Sequence, residues 1–200
     1  MSGQSGLDAG DFRRFLGLNA PLEELVEDAG RRAALTFVGE ATATLLPDGS
    51  AAILKGLPAI IGTAMQPFGW AWNGFYVLGN DGKLHVGPAF GPPVCSELER
   101  TGGPLSSGMC FDALLLNQTL STGDVKRWPG YVSCDSTSGL STVSGLVVPV
   151  RDPSGRPVAV WDVDSTAVIE LADVRFFDVL FATLARTVPI QRAELLGVLA

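Results

Sequence analysis

The sequence predicts an α+β domain: an antiparallel sheet with helices packed on one face and a helical N-terminal extension. Three observations carry this. Apolar residues recur at helical spacing over residues 22–38. Aromatic and β-branched runs, separated by Gly-, Asn- and Asp-rich turns, fill much of residues 70–165. An amphipathic segment at residues 171–188 closes the pattern.

Residues 1–10 are rich in Gly and Ser, and residues 1–20 are expected to be a flexible N-terminus. A single domain then spans residues 21–190, with a helical part at 21–66, a strand-rich part at 67–165 and the closing helix at 171–188. Pro21 suits a helix start, with Glu23 and Glu24 placed where the helix dipole favours acids. Leu22, Leu25, Val26, Ala29, Ala33, Ala34, Phe37 and Val38 continue one helical face. Pro47-Asp48-Gly49-Ser50 is a turn, after which a second helix covers residues 51–63. Pro58 lies inside it, which predicts a kink or a late start.

The pattern then changes period. Residues 70–78 read as a strand, Gly79-Asn80-Asp81-Gly82 as a hairpin turn and residues 83–88 as the returning strand. Residues 87–101 form a Pro- and Gly-punctuated loop with Cys95. Residues 109–116 read as a helix with Cys110 in its first turn, and residues 119–124 as a short strand. Residues 127–134 are turn-rich, and residues 135–145 are almost wholly Asp, Ser, Thr and Gly, the composition of a flexible loop. Two strands, residues 146–150 and 157–164, flank the turn at Asp152-Pro153-Ser154-Gly155.

Composition excludes several classes. The apolar fraction of 46% supports a real core, and the charged fraction of 18% is too low for a disordered chain. A net charge of −7 without a Lys/Arg cluster argues against a phosphate-tracking nucleic-acid surface. The first residues lack the charged and apolar regions of a signal peptide, and no run approaches the ~18 apolar residues of a membrane span. A cytoplasmic setting with thiols reduced at rest is the expectation.

Chemistry concentrates between Trp72 and Ser165. Cys95, Cys110 and Cys134 lie here, an odd number that cannot pair completely. Each alone reads as a small buried apolar residue. Three together in polar, Gly-rich surroundings point to redox work. No Cys-x₂₋₄-Cys pair is present, so a zinc site with His85 is disfavoured. His85, expected on an exposed strand position, is assigned no role, and a single His makes a Cys–His hydrolase a weak reading. Cys110, near a helix N-terminus, is expected to have a lowered pKa. Asp162 and Asp164 alternate on a strand and so share a face. Strands are depleted in Asp, which favours function over a solvated face. For Trp72 both a core and a pocket position stay open. Trp70, Phe75 and Tyr76 fit core positions on a strand, and Trp128 reads as a loop anchor.

These residues carry a resemblance. Trp72-Asn73-Gly74-Phe75-Tyr76, then Cys95, Gly108-Met109-Cys110, Gly130-Tyr131-Val132-Ser133-Cys134-Asp135, Val148-Pro149-Val150 and Trp161-Asp162-Val163-Asp164-Ser165 resemble the free methionine-(R)-sulfoxide reductases. The 24 residues from Cys110 to Cys134 match that pattern. The resemblance implies a GAF-like fold and an L-methionine (R)-S-oxide reductase that works without metal or organic cofactor. It makes Cys134 the attacking thiol and Cys95 its resolver, with Cys110 an alternative for either role. It places Asp164 and Asp162 in the pocket, as acid for the sulfoxide oxygen or partner for the substrate ammonium. Two adjacent carboxylates repel, which holds one protonated near neutral pH. It makes Trp72 and Tyr76 a wall for the S-methyl group, and it implies thioredoxin as reductant and a homodimer. The chain departs from the pattern in longer segments after Cys95 and after Cys134. It also has Gly145, four positions before Pro149, where the family carries Glu. Asp135 is the candidate substitute. The alternative reading is a non-catalytic GAF module that senses a small ligand or redox state.

Overall fold

The computed structural model describes residues 8–188, 190 and 195. Seven helices and six strands are described: α1 (Ala9–Asn19), α2 (Leu22–Leu25), α3 (Ala29–Leu45), α4 (Ser50–Met65), β1 (Trp70–Leu78), β2 (Leu84–Phe90), β3 (Glu97–Leu98), α5 (Met109–Leu116), β4 (Leu120–Thr122), α6 (Asp135–Ser138), β5 (Ser144–Arg151), β6 (Pro157–Ser165) and α7 (Leu171–Thr187). The strands form one antiparallel sheet in the order β3-β2-β1-β6-β5-β4.

The N-terminal region departs from expectation. Residues 1–7 lie outside the described residues. Beyond them the chain is not flexible but helical, because Asp8 caps α1 by accepting from the Asp11 amide at 2.8 Å. Phe12 and Leu16 of α1 are buried in the core. The helix expected from Pro21 is two. The chain is extended at Val26, and Asp28 starts α3 by accepting from the Arg31 amide at 2.6 Å. α4 runs from Ser50 to Met65 with Pro58 inside, so it does not start late. The Pro58 carbonyl accepts from Asn73 Nδ2 of β1 at 3.1 Å.

The sheet is buried on both faces, and strand alternation divides its residues. Phe75, Val77, Leu146, Val148, Trp161 and Val163 face the four long helices, α1, α3, α4 and α7. Trp161 lies 4.8 Å from Phe177 and 5.1 Å from Phe181 between ring centroids, anchoring α7 to the middle of the sheet. Tyr76, Val147 and Val160 face the other way and pack with Phe111, Ala113 and Leu114 of the short α5. The candidate chemistry sits on this second face.

An ion pair stitches the helical layer. Arg31 of α3 donates to Asp173 of α7, both buried, and reaches the half-exposed Glu170 at 3.2 Å. Its guanidinium also stacks over Phe68 at 4.6 Å. Removing one partner of such a pair leaves a buried charge alone. Arg31→Ala is therefore expected to cost about 3–5 kcal/mol in urea denaturation. The Arg31→Ala, Asp173→Leu double variant should lose less than the sum of the single losses, and strict additivity would contradict the coupling.

Candidate active site

Three central strands build the floor. In register, Asp162 of β6 lies between Gly74 of β1 and Val147 of β5, and Asp164 lies between Trp72 and Gly145. Both aspartates point away from the long helices, toward α5. Beside Asp162 the space over Gly74 is taken by Ala89 and the Trp72 ring, and beside Asp164 the space over Gly145 is bordered by Val125 and Met109. α5 crosses above this floor and brings Cys110 down, whose Sγ donates to Asp162 Oδ2 at 3.3 Å. A cavity of about 60 Å³ opens beside these groups, lined among others by Tyr76, Cys110, Cys134, Asp135, Asp162 and Asp164.

Cys134 is joined to Cys95 by a disulfide whose Cα atoms are 5.4 Å apart across 39 residues of sequence. The two loops meet as a pairing of these thiols requires. Cys110 is the free thiol and is buried. Cys95 does not line the cavity, but Tyr76 fixes its loop by donating its hydroxyl to the Cys95 carbonyl at 2.9 Å. Residues 135–145 are not simply a flexible loop. α6 opens the segment, and Asp135 pins its far end by accepting from Thr142 Oγ1 at 2.7 Å and the Thr142 amide at 3.3 Å.

Electrostatics follow from burial. Burial pushes the Asp162 carboxyl up to about 6, opposed by hydrogen bonds from Cys110 and the Val163 amide. Asp164 is pushed well above the usual carboxyl range, first by burial and then by Asp162 and Asp135. Repulsion within the pair thus adds to a larger burial effect. The Cys110 expectation is overturned: burial, then the charges of Asp162, Asp164 and Asp112, raise its pKa well above that of a free thiol. The α5 dipole does not outweigh being enclosed beside three carboxyls. Tyr76 is also raised, by burial and then by Asp162, and keeps its proton.

Trp72 does not reach the cavity. Its indole folds over Gly74, where a Cβ would come within 2.8 Å of the ring, and packs 5.8 Å from the Tyr76 ring. It is core beneath the site rather than a wall of it. His85 lies on β2 and contacts Asp81 at 3.0 Å, apart from the cavity. Gly145 lines the cavity, and a side chain there would point at Val125 (3.1 Å) and Met109 Sδ (3.5 Å). Sequence reasoning missed Met109, Val125 and Thr142 as lining residues. It also missed Asp112, buried below the site, whose only sequence signal is an acid among the apolar residues of α5.

Comparison with known proteins follows from this geometry. No protein-family model matches the chain. A solved GAF domain superposes with a TM-score of 0.65 at 22% identity, over 94% of this chain and all of that one. The fold is a GAF domain. Within it, the chain is similar to free methionine-R-sulfoxide reductases. It is 30% identical over 95 residues to the one from Saccharomyces cerevisiae, covering 46% of this chain and 48% of that protein. It also superposes on that from Neisseria meningitidis in complex with its substrate, with a TM-score of 0.66 at 24% identity over 80% of this chain and 90% of that one. The chain spans less than two thirds of the length of the curated relatives it matches.

The raised carboxyl gives a pH test. Asp162 has a higher pKa folded than the ~3.9 expected unfolded, so its contribution to stability is complete below about pH 4 and is lost as pH rises through about 6. Asp162→Asn removes this dependence. Relative to wild type the variant should gain about 2 kcal/mol between pH 4 and 7.5 in urea denaturation. A gap between the two that stays constant with pH would contradict the assignment.

Proposed function

We propose that this protein is a thiol-dependent oxidoreductase that reduces free L-methionine-(R)-sulfoxide to methionine. The observation that carries the reading is the meeting at one cavity of Cys134, already bridged to Cys95, and a buried carboxyl pair able to hold a proton at neutral pH. The sequence similarity to a free methionine-R-sulfoxide reductase supports the substrate class.

In this reading the Cys134 thiolate attacks the sulfoxide sulfur. Asp164, protonated because it is buried beside Asp162, gives its proton to the oxygen. The protonated oxygen then passes to the Cys134 sulfur: a Cys134 S–O bond forms as the substrate S–O bond and the S–S bond made in the attack both break, methionine leaves, and Cys134 remains as a sulfenic acid. The Cys95 thiol then attacks Cys134, releasing water and forming the disulfide. Thioredoxin, or another dithiol reductant, returns both thiols. Cys110 stays a thiol, donating to Asp162. Asp135, which lines the cavity, supplies the carboxylate for the substrate ammonium that Gly145 cannot.

Gly145 also favours a second reading, a GAF module that binds a small ligand or responds to oxidants without turnover. With no acid at that position, Met109 and Val125 border the space instead.

One experiment separates the two. Fully reduced protein is given free methionine-(R)-sulfoxide without a recycling reductant, and released methionine and remaining thiols are counted. The reductase reading expects one methionine formed and two thiols lost per chain, from Cys134 and Cys95, with Cys134→Ser inactive. Activity retained in Cys134→Ser would move the attack to Cys110. Thiols consumed by peroxide while no methionine forms would instead establish the sensing module. For the acid role, Asp164→Asn is expected to slow single-turnover methionine release by about 10²–10⁴-fold. An unchanged rate would remove Asp164 from proton transfer.

A further inference from the structure

Asp112 lies two residues beyond Cys110 on α5, and its carboxyl is fully buried. It does not line the cavity. Instead its two oxygens reach two different loops. Oδ1 accepts from the Leu105 amide at 2.7 Å, and Oδ2 accepts from Trp128 Nε1 at 2.7 Å. Leu105 belongs to the segment that runs from Cys95 to α5. Trp128 belongs to the segment that runs from β4 to Cys134.

The same two segments touch directly. A Cβ on Gly130 (φ +66°) would lie 2.4 Å from the Ser106 carbonyl carbon, so only glycine fits there. A Cβ on Gly108 would lie 3.4 Å from the Gly130 oxygen. Leu105 itself sits at φ +61°, a left-handed conformation that a leucine adopts when its surroundings hold it there. The two loops that carry the redox cysteines are thus tied twice: by the disulfide and by the Asp112 carboxylate.

We propose that Asp112 is a positioning residue for the Cys95–Cys134 redox pair. When the disulfide is reduced, only the lower tie of these two remains. Its two hydrogen bonds keep the loops in register, so the thiols stay within disulfide reach. The step served is the attack of the Cys95 thiol on the Cys134 sulfenic acid. In it the S–S bond forms, the S–O bond breaks and water carries away the oxygen, the oxidant having been a sulfoxide or a peroxide. The inference rests on the thiol pair and not on methionine sulfoxide as oxidant, so it stands or falls separately from the proposed function.

The test uses the whole chain equilibrated in glutathione redox buffers, with the bridged fraction read by thiol alkylation and peptide mass mapping. Trp128→Phe keeps the ring and removes the donor, and Asp112→Asn removes one acceptor. Both are expected to lower the effective concentration of the thiol pair about tenfold or more. Val158→Ala, a truncation in the core beneath the long helices, serves as the control for lost stability. It should melt at lower temperature and yet hold the thiol pair within about twofold of wild type. The inference is overturned if Trp128→Phe, folded by near-ultraviolet circular dichroism, also stays within about twofold, or if the control loses as much as the two variants. Trp128 is only partly buried, so Trp128→Phe decides the matter should Asp112→Asn fail to fold.

Discussion

A sheet with the long helices on one face and α5 on the other leaves little water for a charged side chain, and β6 nonetheless carries two half-buried aspartates on the α5 face. Burying a carboxylate without a cationic partner is costly enough that the group takes up a proton instead. Among the described residues nothing basic lines the cavity beside Asp162 and Asp164; the polar neighbours include a thiol, a phenol and another carboxyl. The remaining features of the site follow from this constraint. The Cys110 thiol, donating to Asp162, stays protonated for the same reason Asp164 does, burial beside other acids. Burial thus favours the protonated form at this face of the sheet, most strongly at Asp164.

In the proposed reading, nucleophile and acid come from different parts of the fold. The carboxyls sit on β6, a central strand paired on both edges. The sulfurs of Cys95 and Cys134 sit on connecting segments, held by a few side-chain hydrogen bonds: Tyr76 to the Cys95 carbonyl, Asp135 to Thr142, and Asp112 to Leu105 and Trp128. This division suits a cycle in which thiols must approach and separate while the proton donor keeps its place. In the bridged state the cavity, at about 60 Å³, holds a few waters at most. The bridged form is the end of the proposed cycle, and opening of the disulfide loops precedes the next substrate.

The sequence made the layers legible where local signals were strong. α5 was readable because Gly108 and Asn117, both at positive φ, bracket an apolar run. β1 and β6 were readable from aromatic and β-branched runs between turn residues. α1 was not, because its capping Asp8 follows a Gly- and Ser-rich stretch whose composition suggests mobility. The cysteine and aspartate positions were visible as a pattern, but their environments were not. The reactivity expected for Cys110 from its place on a helix was reversed first by burial and then by neighbouring carboxyls, of which Asp162 lies 52 residues away in the sequence. The indole of Trp72 was turned from the cavity by the room over Gly74. Asp112 could not be singled out, since its partners lie 7 and 16 residues away in loops without periodicity.

The central claim is that Cys134 takes the oxygen from a sulfoxide beside a carboxyl pair in which Asp164 holds a proton. It is tested most directly in Cys95→Ser protein, where the sulfenic acid has lost its resolver. This variant would be mixed with free methionine-(R)-sulfoxide and dimedone, and the labelled peptide mapped by mass spectrometry. The account predicts the adduct on Cys134, formed with one equivalent of methionine. An adduct on Cys110, or methionine released with no adduct at all, would contradict it.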